Sequence, residues 1–145
     1  MSFESGQSYW VFSQEVIQGN RYIHSDVVKN FLVNVLETSE ARVMPVSSGT
    51  IFWRAQLGSD QKPLFRDGDI VRHDPVPFSN ERMKPLQDQA SEGRANPKGI
   101  PYLYLATEKE TAMSEVRPWP NSRISVGKLK TVRELRLIDC SKHPS

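Results

Sequence analysis

Residues 100–140 read IPYLYLATEKETAMSEVRPWPNSRISVGKLKTVRELRLIDC, and this stretch decides the fold class. IPYLYLA at 100–106 carries strand-forming residues, with Tyr102 and Tyr104 on one face by the period of two. TEKETAMSEVRP at 107–118 predicts a short helix. Its Thr107 and Glu110 stand at capping-box spacing, its Ala112, Met113 and Val116 form an apolar stripe, and its Pro118 bars continuation. RISVGKL at 123–129 and ELRLIDC at 134–140 predict two further strands. One short helix among several strands predicts an α+β domain rather than a doubly wound sheet.

Upstream, residues 58–99 read as a long polar connection containing Pro63, Pro75, Pro77, Pro85 and Pro97. It ends in SEGRANPKG at 91–99, with turn chemistry at Gly93 and Gly99. TIFWRAQL at 50–57 predicts a strand with Ile51, Trp53 and Ala55 on one side and Phe52, Arg54 and Gln56 on the other. Residues 1–45 predict an N-terminal helical extension to a domain at 46–145. An aromatic start (Tyr9, Trp10, Phe12) precedes a helix whose stripe is Val27, Val28, Phe31, Leu32, Val35 and Leu36. Ser25 is its expected N-cap, Asp26 suits its first turn, and Pro45 lies beyond its end.

The chain has 145 residues, enough for one modest core. No apolar run approaches the length that crosses a bilayer, and MSFESGQSYW lacks the basic and apolar regions of a secretory leader. Cys140 is the single cysteine, so no disulfide closes within the chain and no cysteine-based zinc site forms. These features predict a cytoplasmic protein without a membrane segment. Lysine and arginine number 19 against 17 acidic residues, a net charge of +2, too mild to declare a nucleic-acid binder.

Several side chains could carry chemistry. Arg54 sits in a strand otherwise rich in apolar residues, where an unpaired cation is expensive. Either its stem is buried and its head reaches water, or it forms the floor of a cleft and awaits a phosphate or carboxylate. Arg94, in GRANPKG, belongs to an ordinary solvated turn or to an anion-binding loop. Glu115 falls at the edge of its helix's apolar stripe, which suits a solvated carboxylate or one that looks into a cleft. In a cleft it could stabilise an oxocarbenium-like ribose. Tyr102 and Tyr104 are core residues or a surface on which a planar ring stacks. His24, His73, His143 and Cys140 show no metal-ligand spacing, so no metal is expected. Cys140, at the end of an apolar strand, is expected to be structural.

In this order, FWRAQLG at 52–58, GRANPKGIPYLYLA at 93–106 and TAMSEVRPWP at 111–120 resemble the RES-domain family. That family is named for an arginine, a glutamate and a serine, and its members are the toxin partners of Xre-type antitoxins. ISVGKL at 124–129 and LRLIDC at 135–140 resemble the family's subsequent segments. The upstream SYWVF and RYIHSDVVKNFL resemble the extension of longer members. The resemblance implies an ADP-ribosyltransferase-like split, bent β-sheet around an NAD-binding cleft. It implies NAD as substrate, cleaved between nicotinamide and ribose, with inorganic phosphate as acceptor and no metal. It also implies an Xre-type antitoxin partner, with nucleic acid met only through that partner.

By motif, the family's first arginine matches Arg54, its second basic position Arg94, its tyrosine Tyr104 and its glutamate Glu115. The resemblance then gives Arg54 and Glu115 catalytic roles. Arg54 and Arg94 hold the dinucleotide's pyrophosphate or the attacking phosphate, and Tyr104 packs on the nicotinamide side. The family serine belongs to a later motif, and Ser122, Ser125 and Ser145 lack its context. The chain is therefore expected to be an N-terminal portion of a longer member, with a short divergent member as the alternative. Two other functions stand beside the leading one. The first is ADP-ribosyl transfer to a protein. The second is a non-catalytic nucleic-acid- or protein-binding module, using basic residues such as Lys98, Arg117, Lys128 and Arg136.

Overall fold

The computed structural model describes residues 7–19, 23–86, 90 and 92–141. His143 and Ser145, weighed above, lie outside the described residues, as do residues 20–22, which overlap the start of the RYIHSDVVKNFL segment. The described chain is α+β, with helices α1 (Ser8–Gln18), α2 (Asp26–Glu40) and α3 (Lys109–Glu115). Its strands are β1 (Val43–Val46), β2 (Ile51–Leu57), β3 (Asp60–Arg66), β4 (Asp69–Val76), β5 (Ile124–Lys130) and β6 (Leu135–Ile138). They form three antiparallel pairs, β1–β6, β2–β5 and β3–β4. Among the described residues, no helix is long and apolar enough to cross a membrane.

The chain divides into two compact units, residues 1–47 with 134–145 and residues 48–133. In the first, Ser25 caps α2 as its sequence predicts, its hydroxyl accepting from the Val28 N–H at 3.3 Å. The same hydroxyl donates to Oε2 of Glu15 at 2.7 Å, and the Ser25 N–H donates to Oε1 at 2.9 Å, which ties the cap to α1. Phe12 of α1 stacks on Phe31 of α2, with ring centroids 4.7 Å apart. Only Val28 of the expected α2 stripe is fully buried; Val27, Leu32, Val35 and Leu36 remain exposed. The helix α1 carries no clear helical signal, because SYWVFSQEVIQ mixes apolar and polar residues with little periodicity. Strand β6 pairs with β1 in the register Val43↔Ile138 to Val46↔Leu135, and its side chains are exposed. Cys140, expected to be structural, is exposed just beyond β6.

In the second unit, β2 and β5 pair along their full lengths, from Ile51↔Lys130 to Leu57↔Ile124. Helix α3 packs on both strands and buries Ala112. Ser125 is almost wholly buried, and its hydroxyl donates to the Gly58 carbonyl at 2.8 Å while accepting from the Phe78 N–H at 3.0 Å. That bridge fixes the turn after β2 and the chain leaving β4 on one strand.

Three local expectations are corrected. Residues 58–99 are not an unstructured connection, because β3 and β4 form a hairpin closed by Asp67 and Gly68. Both turn residues have positive φ, +53° and +94°, as a two-residue type I′ loop requires. IPYLYLA is not a strand: only Ala106 bridges, its N–H and carbonyl exchanging bonds with Trp53. Pro101 offers no N–H, and the Asn96 amide claims the Ile100 carbonyl at 3.0 Å, which takes two ladder groups out of the start of the segment. The capping box is also absent. Helix α3 starts at Lys109 after an extended Glu108, which leaves Thr107 one residue too early, and no side chain caps it.

Candidate active site

A cleft of about 830 Å³ opens beside β2 within the second unit. Trp53 to Leu57 form its floor, Tyr104 to Thr107 one wall, and Thr111, Ala112 and Glu115 of α3 another. The single Ala106 bridge explains the opening, since the chain before Ala106 runs on without pairing to β2. A smaller recess of about 250 Å³ shares part of this lining and includes Arg54, Arg82, Asn96, Tyr102 and Tyr104. Tyr102 and Tyr104 share it, as their same-face spacing predicts.

Arg54 departs from a merely surface arginine. Its Nε and Nη1 are buried and have no hydrogen-bond partner. Burial holds the pKa of its guanidinium below the usual value, and the nearby charge of Arg82 lowers it further. A buried N–H without an acceptor costs about 1–3 kcal/mol. Such a group marks a place where a ligand can supply the acceptor. Across the ladder, Arg54 is paired with Gly127, whose missing side chain leaves room for Met83.

The Tyr104 ring is fixed from its far end. Its hydroxyl donates to Oδ1 of the buried Asn96 at 2.6 Å and accepts from the Ala95 N–H at 3.3 Å. Gly93 closes the same turn through its N–H to the Asn96 carbonyl at 3.0 Å. A Cβ on Gly93 would come within 2.6 Å of Asn96 Oδ1 and 2.7 Å of the Tyr104 hydroxyl, so the turn requires glycine there. The GRANP segment is thus an ordered brace behind Tyr104.

Of the residues singled out in the sequence, Arg54, Tyr104 and Glu115 line the large cleft together. Arg94 lines neither recess and is exposed at the turn. Among the described residues, Glu115 is the sole acidic residue lining the two recesses. Ser125, which lacks the sequence context of the family serine, bonds within the sheet corner instead. Two contributors carry no local sequence signal: Asn96, which braces Tyr104, and Arg82, which lines both recesses from a polar turn. Among the described residues, no group of three His, Cys, Asp or Glu is placed to hold a metal ion.

A family model described as RES domain matches residues 69–145, more than half of the chain. Arg94, Tyr104 and Glu115 fall inside the matched segment, while the β2 strand carrying Arg54 precedes it. No curated protein and no solved structure matches the chain.

Proposed function

The chain belongs to the RES-domain family, and from that premise we propose that its cleft binds NAD and cleaves the bond between nicotinamide and ribose. The observation that carries the proposal is the Arg54 guanidinium, whose Nε and Nη1 are buried without a partner, in a cleft that also presents Tyr104 and, alone among the described acidic residues, Glu115. A dinucleotide supplies what that set lacks. Its diphosphate offers acceptors for guanidinium N–H groups, and its nicotinamide offers a planar ring to a braced tyrosine. Its ribose develops positive charge in the transition state, where a carboxylate is favoured over the ground state.

The step balances without a metal or a redox partner. The bond between the ribose C1 and the nicotinamide nitrogen breaks, and its electron pair neutralises the pyridinium. An oxygen of inorganic phosphate forms the new bond to C1, yielding nicotinamide and a phosphorylated ADP-ribose. Glu115 stabilises the oxocarbenium-like centre and orients the ribose hydroxyls. Arg54 holds phosphate oxygens. Arg94, exposed on the turn, adds long-range attraction for the anionic substrate.

The same reading takes residues 46–145 as an ADP-ribosyltransferase-like domain that carries the cleft, with residues 1–45 as an extension. It gives the protein a toxin's role in the cytoplasm, held in check by an Xre-type antitoxin that covers the cleft. The experiment is direct: the chain is incubated with NAD and phosphate, and nicotinamide and phosphorylated ADP-ribose are quantified. Intact NAD in every condition, from a chain shown to be folded, would remove the proposal.

A further inference from the structure

Arg82 is delivered to the site by a turn whose anchor lies next to it in sequence. The Met83 N–H donates to the Ser79 carbonyl at 3.0 Å, and the Met83 side chain is buried. Its terminal methyl occupies the space over Gly127, 3.2 Å from where a Cβ would stand. The turn is thereby clamped onto β5, and Arg82 is held beside β2. Its Nη1 donates to Oε1 of Gln56 at 3.3 Å, and its guanidinium carbon sits 4.9 Å from the Phe78 ring centroid.

Both contacts are with neutral groups. The ion pairs among the described residues are Lys29–Asp26 and Arg72–Asp74, and neither arginine of the cleft takes part in one. Glu81, the carboxylate adjacent to Arg82 in sequence, bonds to its own backbone N–H and to Ser79. Arg54 and Arg82 line both recesses, and among the described residues no acidic side chain lines the smaller one. Two like charges brought together without an anion repel each other, and a bridging oxyanion converts that repulsion into two charge-assisted contacts.

We propose that Arg82 and Arg54 form a two-arginine clamp whose ligand is a phosphate group. The proposal rests on the NAD-cleaving function for the source of that group, which is either the dinucleotide's diphosphate or free inorganic phosphate. The clamp gives Arg82 the second basic role that the sequence resemblance implies for Arg94.

The test is calorimetric binding of inorganic phosphate alone, and of NAD alone, to the full chain and to Arg82→Met and Arg82→Lys. Methionine keeps a stem to pack on Phe78 and removes the charge; lysine restores the charge without the fork. Arg82→Met should weaken binding by about 10- to 100-fold, the value of one charge-assisted hydrogen bond, and Arg82→Lys should recover part of it. Loss seen with inorganic phosphate supports the clamp and identifies the acceptor as the clamped group. Loss confined to NAD supports it and identifies the diphosphate. Parental affinity of Arg82→Met for both ligands overturns the clamp. Arg82-dependent phosphate binding by a chain that releases no nicotinamide keeps the clamp and removes only the enzymatic function.

Discussion

The Tyr104 hydroxyl lies 2.6 Å from Oδ1 of Asn96, and through this bond the aromatic wall of the cleft is held by the turn that precedes it in sequence. Asn96 is buried and spends its amide N–H groups on the Pro97 and Ile100 carbonyls. Tyr104→Phe therefore leaves Asn96 Oδ1 without this donor and the Ala95 N–H without this acceptor. Its folded state should lose about 1–3 kcal/mol by urea unfolding. Gly93→Ala forces the same pair apart, so the double variant should lose less than the sum of the two single losses. Additive losses would show that the turn and the tyrosine are independent.

Ser125→Ala tests the sheet corner. The serine serves Gly58 and Phe78 at once, and its removal strands both backbone groups. A loss of about 1–3 kcal/mol is expected, against less than about 0.5 kcal/mol for the exposed Ser122→Ala. Equal midpoints for the two variants would contradict the bridge.

Arg54→Met separates folding from function. Burial lowers the guanidinium pKa, so the folded protein holds this proton less tightly than the unfolded chain does. The group remains charged in both states at neutral pH, and the cost of burying it is constant there. Methionine removes that cost, so the unfolding midpoint should stay level or rise while ligand binding is lost. A clear fall in the midpoint would assign Arg54 a structural task instead.

Acid should loosen the helical pair α1–α2 through Glu15. Its bonds from Ser25 hold the carboxyl below the ordinary 4.5. A depressed folded value means that the contribution is present above the unfolded pKa and is lost as pH falls through the folded one. Glu15→Gln should flatten the fall in helix content between about pH 5 and pH 3. A parental acid profile for that variant would sever the link between Glu15 and Ser25.

The legibility of this chain tracks the range of the interactions involved. Ser25 as N-cap, β2, β5 and the short α3 are readable because each rests on a local pattern. The β3–β4 hairpin has a local signal in Asp67–Gly68, but its prolines and charged residues hide the alternation. IPYLYLA has a strand's composition without a strand's partner, and pairing rather than propensity decides. Arg54, Tyr104 and Glu115 are legible through their motifs, and the cleft brings them together. Arg82 is not, because its place depends on Met83 meeting Gly127, a contact 44 residues distant along the chain that no spacing announces.

Stabilisation by Glu115 of the charge developing on the ribose of NAD is the central step of the proposed reaction. The measurement is nicotinamide release from NAD and phosphate by the chain and by Glu115→Gln, with NAD affinity determined separately. Turnover should fall by about 100- to 1,000-fold in the variant, with NAD affinity nearly unchanged. Parental turnover by a folded Glu115→Gln protein would contradict the central step.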